Sequence, residues 1–174
     1  MSIYTEEQAK AILDKVIKLS QADECTATLS GSITGNIRFA LNNVSTSGIV
    51  SNAQLIVQSA FGKREGVTTI NSFDDASLER VVRRSEELAR LAPENPEYMP
   101  IIDKQDYKPS PTFVQATADI TPEQRAQVAA ASIDPSKDGN LIAAGFLQDE
   151  NGFFAFANSK GNFGYQKATN VNYT

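Results

Sequence analysis

Apolar residues in this chain first recur at helical spacing: Ala9, Ile12, Leu13, Val16 and Ile17 fall on one stripe of a 3.6-residue turn. Thr5, with Gln8 three residues on, makes a capping box ahead of that stripe, so a helix is predicted to begin there. From Glu24 the period becomes two. Cys25, Ala27 and Leu29 alternate with Thr26, Thr28 and Ser30 as in a half-buried strand, and Gly31 to Gly35 reads as a break. Ile37, Phe39 and Leu41 form a second alternating strand, with a turn expected at Asn42-Asn43 and a more polar segment over 44–51. A third strand is expected over 54–61, and Gly62-Lys63-Arg64-Glu65-Gly66 reads as a hairpin loop leading into 67–71. Helical spacing returns at Leu78, Val81, Val82, Leu88, Ala89 and Ala92, behind the capping residues Asp74 and Asp75, and Pro93 ends it.

Prolines 93, 96, 100, 109 and 111 then crowd a polar stretch, where proline neither continues a helix nor donates to a sheet. This places a boundary: a first domain over 1–105, a linker over 106–120 and a second unit over 121–174. Thr121-Pro122-Glu123-Gln124 combines an N-cap, a proline at the first helical position and a capping-box glutamine, predicting a helix over 122–132. Three strands follow at about 141–147, 153–158 and 163–173, with turns at Asp149-Glu150-Asn151-Gly152 and Ser159-Lys160-Gly161-Asn162. The fold class expected is α+β: an antiparallel meander with helices packed on one face, followed by a partial second α+β unit of a helix and a three-stranded antiparallel meander. The last strand runs to Thr174 with no cap or turn, which reads as truncation of that second unit.

Composition narrows the chemistry. The chain has 174 residues, 41% hydrophobic and 21% charged, as in an ordinary globular protein able to bury a core without disulfides. No apolar run approaches the roughly 20 residues of a membrane span, and the acidic N-terminus does not resemble a secretory signal, so a cytoplasmic location is expected. Histidine is absent and Cys25 is the one cysteine, which removes Ser-His-Asp triads, Cys-His dyads and His-bearing zinc sites. A net charge of −5 argues against a nucleic-acid partner, and the arginines at 80, 83, 84 and 90 are interleaved with Glu79, Glu86 and Glu87 as on a solvated helix face. Asp74-Asp75 sits at a helix start and Asp149-Glu150 in an expected turn, which accounts for both acidic pairs without a metal. No catalytic and no metal-binding residue is assigned.

One strand is less bland. In Asn36-Ile37-Arg38-Phe39-Ala40, followed by Asn42, alternation places Arg38 and Asn42 opposite the apolar Ile37, Phe39 and Leu41. An arginine there can pair with a carboxylate or with peptide groups of a bound segment, so Arg38 and Asn42 are the candidate substrate-binding residues. A solvated face that contacts nothing is the competing reading.

The same stretch resembles the TldD/PmbA family, modulators of DNA gyrase that include zinc metallopeptidases. The likeness continues through Phe61-Gly62-Lys63-Arg64-x-Gly66, Thr68-Thr69-x-Asn71, Ala89-Arg90-x-Ala92-Pro93-Glu94 and Ala157-Asn158-Ser159-Lys160-Gly161. The resemblance implies an N-terminal region of a two-part protein, homo- or heterodimerisation with a partner of the same family, and an unfolded peptide or protein substrate. In peptidase members it also implies a zinc ion on an H-E-x-x-x-H helix, a motif this chain does not contain, so no cofactor is assigned here. The function expected is therefore a non-catalytic front region contributing to a peptide chamber or to dimer assembly. Two alternatives accompany it: the inactive subunit of a heterodimeric peptidase, or a free-standing module binding peptide by strand addition near Asn172-Tyr173-Thr174.

Overall fold

The computed structural model describes residues 3–174. Helix α1 (Glu6–Leu19) starts at the expected capping box: Gln8 N donates to Thr5 Oγ1 at 3.3 Å, and Thr5 N donates to Gln8 Oε1 at 3.0 Å. Strands β1 (Glu24–Ala40), β2 (Asn43–Phe61) and the short β3 (Arg64–Ile70) come next along the chain, and β4 (Gly145–Asn158) follows the helices. Helix α2 (Asp75–Leu91) is capped by Asp74, whose Oδ1 accepts from Ser77 N at 3.0 Å. A single turn, α3 (Gln115–Ala118), precedes α4 (Pro122–Asp138), and β5 (Phe163–Tyr173) closes the chain.

All five strands form one antiparallel sheet in the order β3-β2-β1-β4-β5, an α+β fold with helices against one face. Odd-numbered residues of β1 and β4 point to that covered face. Cys25, Ala27, Leu29, Leu55, Val57, Phe153, Ala155 and Ala157 meet Ala9, Leu13 and Val16 of α1 and Leu78, Val81 and Val82 of α2. Farther along the same face, Ile37, Phe39 and Leu147 meet Ala129 and Ile133 of α4.

The division at 106–120 is corrected by this topology. β4 pairs with β1 from Thr26↔Asn158 to Phe39↔Gly145, so the segment expected to open a second unit completes the sheet of the first. Two expected breaks are also absent. β1 passes straight through Gly31–Gly35, and 145–158 is one strand where a hairpin at Asp149–Gly152 was expected. Gly35 serves close approach instead of turning: a Cβ there would lie inside the guanidinium of Arg125, which α4 lays across it. Asp149 faces the same side, where a turn reading had assumed solvent. The predicted three-stranded meander is thus two strands, β4 and β5, paired from Leu147↔Tyr173 to Ala157↔Phe163.

Smaller differences have local causes. The β1–β2 hairpin turns at Leu41-Asn42, both with positive φ (50° and 58°), one residue before the expected site, and Ala40 pairs with Asn43. Helix α4 continues past Pro135 to Asp138; Ala131, whose carbonyl the proline cannot serve, lies on the exposed side. The proline-rich stretch is a strap. It leaves α2, crosses the lower end of the sheet and runs along the outer edge of β5 before entering α3.

Candidate functional site

Among the described residues, no helix packs on the face opposite the helical layer. Along β1 that face presents Thr26, Thr28, Ser30, Ser32, Thr34, Asn36 and Arg38, the even positions of the strand. Opposite them β2 contributes Gln58, Ile56, Gln54 and Asn52, and β4 contributes Phe156, Phe154 and Glu150. A run of hydroxyls and carboxamides on one face of a sheet offers hydrogen bonds in both directions without fixed charge. Ser30, Ser32, Asn52, Gln54 and Glu150 rim a shallow polar hollow of about 210 Å³ in its middle.

At the β5 edge of the same face the strap builds a deeper groove of about 510 Å³. Its walls are Tyr107, Pro109 and Phe113 from the strap and Phe154 and Phe156 from β4, and its size suits a small ligand or a few peptide side chains. Lys167 Nζ stands 3.9 Å from the centre of the Phe113 ring. Phe154 remains 52% exposed, a large apolar group turned to solvent beside polar neighbours.

Two asparagines in the β4–β5 turn hold the strap in place. Asn162 Oδ1 accepts from Gln105 N at 2.7 Å and from Tyr107 Oη at 3.2 Å, while its Nδ2 donates to the carbonyls of Ile102 and Asp103. Asn158 Nδ2 donates to the Ile102 carbonyl, and its Oδ1 accepts from Asn162 N. Both residues are buried. Upstream, the Glu24 carboxylate takes the Tyr98 hydroxyl and the Ile101 N–H, with Lys160 Nζ 3.5 Å away. Burial opposes the charge on Glu24, but these donors outweigh it and hold its carboxyl below the ordinary 4.5. Burial and the same carboxylate push the Tyr98 hydroxyl well above the usual phenol range, so Tyr98 stays the donor.

The two residues singled out from sequence separate here. Arg38 is exposed at the far end of the open face, its guanidinium 5.2 Å from the Phe146 ring. Asn42 lies in the turn, beyond the end of the strand alternation, and its amide is used locally: Nδ2 donates to the Leu141 carbonyl at 2.7 Å and Oδ1 accepts from Ala143 N at 2.6 Å. The groove residues Tyr107, Phe113, Phe154 and Phe156 were missed. Phe154 and Phe156 alternate with Phe153, Ala155 and Ala157, a signal that a strand reading could have used to place two phenylalanines on the uncovered side.

Among the described residues of this face, no serine or threonine hydroxyl is hydrogen-bonded to a group that could serve as its base. Cys25 lies on the covered face, where burial pushes its thiol up and away from the reactive thiolate. Among the described residues no three His, Cys, Asp or Glu side chains converge on a point where an ion could sit. None of the described helices is long and apolar enough to cross a membrane.

No protein-family model matches the chain, and no curated protein sequence does. Solved structures do. TldE from Thermococcus kodakarensis superposes with a TM-score of 0.82 over 93% of this chain at 18% identity. Two proteins described as modulators of DNA gyrase follow, from Thermotoga maritima (TM-score 0.78, 93% covered, 11% identity) and Bacteroides thetaiotaomicron (0.78, 95%, 17%). The chain has the TldD/PmbA fold. It spans 37%, 38% and 39% of those three structures respectively, so the shared architecture is one region of longer TldD/PmbA chains.

The stretches that carried the sequence resemblance prove to be joints of this fold. Arg90 stacks at 4.2 Å on the ring of Phe61, Arg64 lies 3.8 Å from Glu94, and Asn95 N donates to the Lys63 carbonyl at 2.8 Å. The β2–β3 turn is thereby fastened to the end of α2. Asn158 and Lys160 clamp the strap, as described above.

Proposed function

We propose that this chain is the non-catalytic front region of a TldD/PmbA-type peptidase, whose open sheet face receives an extended, unfolded peptide. The observation that carries the reading is the uncovered face itself. A hydroxyl-and-carboxamide stripe runs beside an aromatic groove of about 510 Å³, with Arg38 at one end. The stripe suits peptide groups, the groove suits apolar side chains, and Arg38 suits a carboxylate. The TldD/PmbA fold supports the assignment to a peptidase assembly, and the chain's span of under two fifths of its structural relatives leaves room for the hydrolytic centre elsewhere. Zinc does not fit the residues of this chain: it has no histidine, and its one cysteine is buried on the wrong face. No hydrolytic step is assigned to it. A partner of the same family, identical or related, belongs to the same proposal.

Binding of a fluorescein-labelled unfolded peptide, followed by anisotropy, tests the reading. Phe156→Ala should weaken binding at least tenfold and Arg38→Ala should weaken it for peptides bearing a carboxylate near one end, both with unchanged thermal unfolding. Equal binding by the parent and both variants, or no binding by the parent, removes the proposal.

A further inference from the structure

One carboxylate stands alone on the open face. Residues 149–152 continue β4 where a turn was expected, and Asp149 points to Arg125 of α4, so alternation turns Glu150 to the opposite side of the sheet. There it pairs with Thr34 of β1 and Asn170 of β5, both uncharged, and it is half-buried. Among the described residues no lysine or arginine forms an ion pair with it. Two other carboxylates of the same face are taken. Glu24 holds Tyr98, the Ile101 N–H and Lys160, and Glu65 accepts from Gln58 and Asn95.

The register places three chemistries at one interval along this face. Arg38 lies opposite Phe146, Thr34 opposite Glu150 and Ser30 opposite Phe154, a wall of the aromatic groove. Each step is four residues on both strands, about 13 Å at roughly 3.3 Å per residue. Between those points the two strands show Asn36, Ser32, Gln148 and Gly152, none of them charged. A Cβ added at Gly152 would lie 3.5 Å from Glu150 Oε1, so the carboxylate leans over the glycine toward the groove, where it forms one rim of the polar hollow. An extended peptide laid along β1 and β4 advances by the same rise and turns alternate side chains to the sheet, so its residues four apart reach these three places together.

We infer that Glu150 selects a basic residue in the bound peptide. The peptides this face takes carry a lysine or arginine at Glu150, a large apolar or aromatic residue four positions to one side in the groove, and a carboxylate four positions to the other side at Arg38. Charge decides the central position. A lone carboxylate in a half-buried, uncharged surround attracts a cation more strongly than it would in open water, and the chain's net charge of −5 disfavours an acidic residue there. A single carboxylate supplies too few oxygens to cage a metal ion. This inference rests on peptide binding by the open face and adds which peptides are bound.

Fluorescence anisotropy with labelled peptides on a serine and glycine background tests it. One peptide carries Phe, Lys and Glu at intervals of four residues and a second carries them in the reverse order; matched peptides have Gln or Glu in place of Lys, or the Lys moved by one residue. In at least one chain direction the parent should bind the Lys peptide about fivefold more tightly than its Gln counterpart, and more tightly still than its Glu counterpart. High salt should narrow the gap. Moving the Lys by one residue turns it to the other side of the extended peptide and should cancel the gain. Glu150→Gln should level the Lys and Gln peptides and Glu150→Lys should reverse the order of the Lys and Glu peptides, each with unchanged thermal unfolding; the parent's own ranking of the peptides is a test that needs no variant. Equal binding of the Lys, Gln and Glu peptides by the parent, or a preference for Lys that survives in Glu150→Gln, overturns the inference and leaves peptide binding standing. Binding of none of these peptides removes both.

Discussion

Arg125 on α4 and Asp149 on β4 form a buried ion pair, with Nε to Oδ1 at 2.5 Å and Nη2 to Oδ2 at 2.9 Å. The guanidinium lies flat over Gly35 and its Nη2 also donates to the Ile120 carbonyl at 3.2 Å, so one side chain fastens α4, the α3–α4 junction and the sheet. The two side chains are 4% and 9% exposed, so solvent screens the pair little.

Removing either partner leaves a buried charge alone. Arg125→Met and Asp149→Leu should each destabilise by ~3–5 kcal/mol in urea unfolding, while the double variant should recover most of that loss, since an apolar pair replaces the charges without leaving an orphan. A double variant as unstable as the sum of the singles would show that the pair is not the cause.

The strap should loosen in acid. Glu24 has a carboxyl held below its ordinary 4.5, so its contribution is fully present above that value and is lost as pH falls through the lower folded value. The protection of the Ile101 amide against hydrogen exchange should therefore fall as pH drops below 4.5, and Glu24→Gln should show the weaker protection at every pH. Identical pH profiles for parent and variant would refute the assignment.

Asn42 contributes both a positive φ and two hydrogen bonds to segment 141–143. Asn42→Gly keeps the turn conformation and should cost ~1–2 kcal/mol for the lost bonds, whereas Asn42→Ala should cost ~1 kcal/mol more because an L side chain disfavours that φ. Thermal denaturation distinguishes the order of the two variants.

Gly66 is where α2 touches the sheet. A Cβ there would sit 2.2 Å from the Ser85 carbonyl oxygen and 2.3 Å from the Ala89 nitrogen, backbone atoms that cannot swing away. Gly66→Ala should destabilise by ~3 kcal/mol or more, measured in urea, and should part Arg90 from the Phe61 ring as the helix lifts.

Much of the local structure was readable before any coordinates. Thr5-Gln8 and Thr121-Gln124 announced two helices, Asp74 capped a third, and alternation at Cys25-Ala27-Leu29 named the covered face. Each of these signals acts within a turn or two of chain. Strand ends were misread where glycine and asparagine occur inside the sheet: at Gly35 the missing Cβ makes room for Arg125, which comes from a helix ninety residues away in sequence.

What the sequence by itself determined is therefore the three longer helices, the two-residue rhythm of the strands and the exclusion of histidine chemistry, because caps, periods and composition are local quantities. The tertiary structure alone decided that the last two strands join the first sheet, that a proline-rich stretch is a strap building an aromatic groove, and that Glu150 stands between Arg38 and that groove. Those are matters of register between distant segments, set by which buried side chains pack best together, and no window of sequence contains both partners.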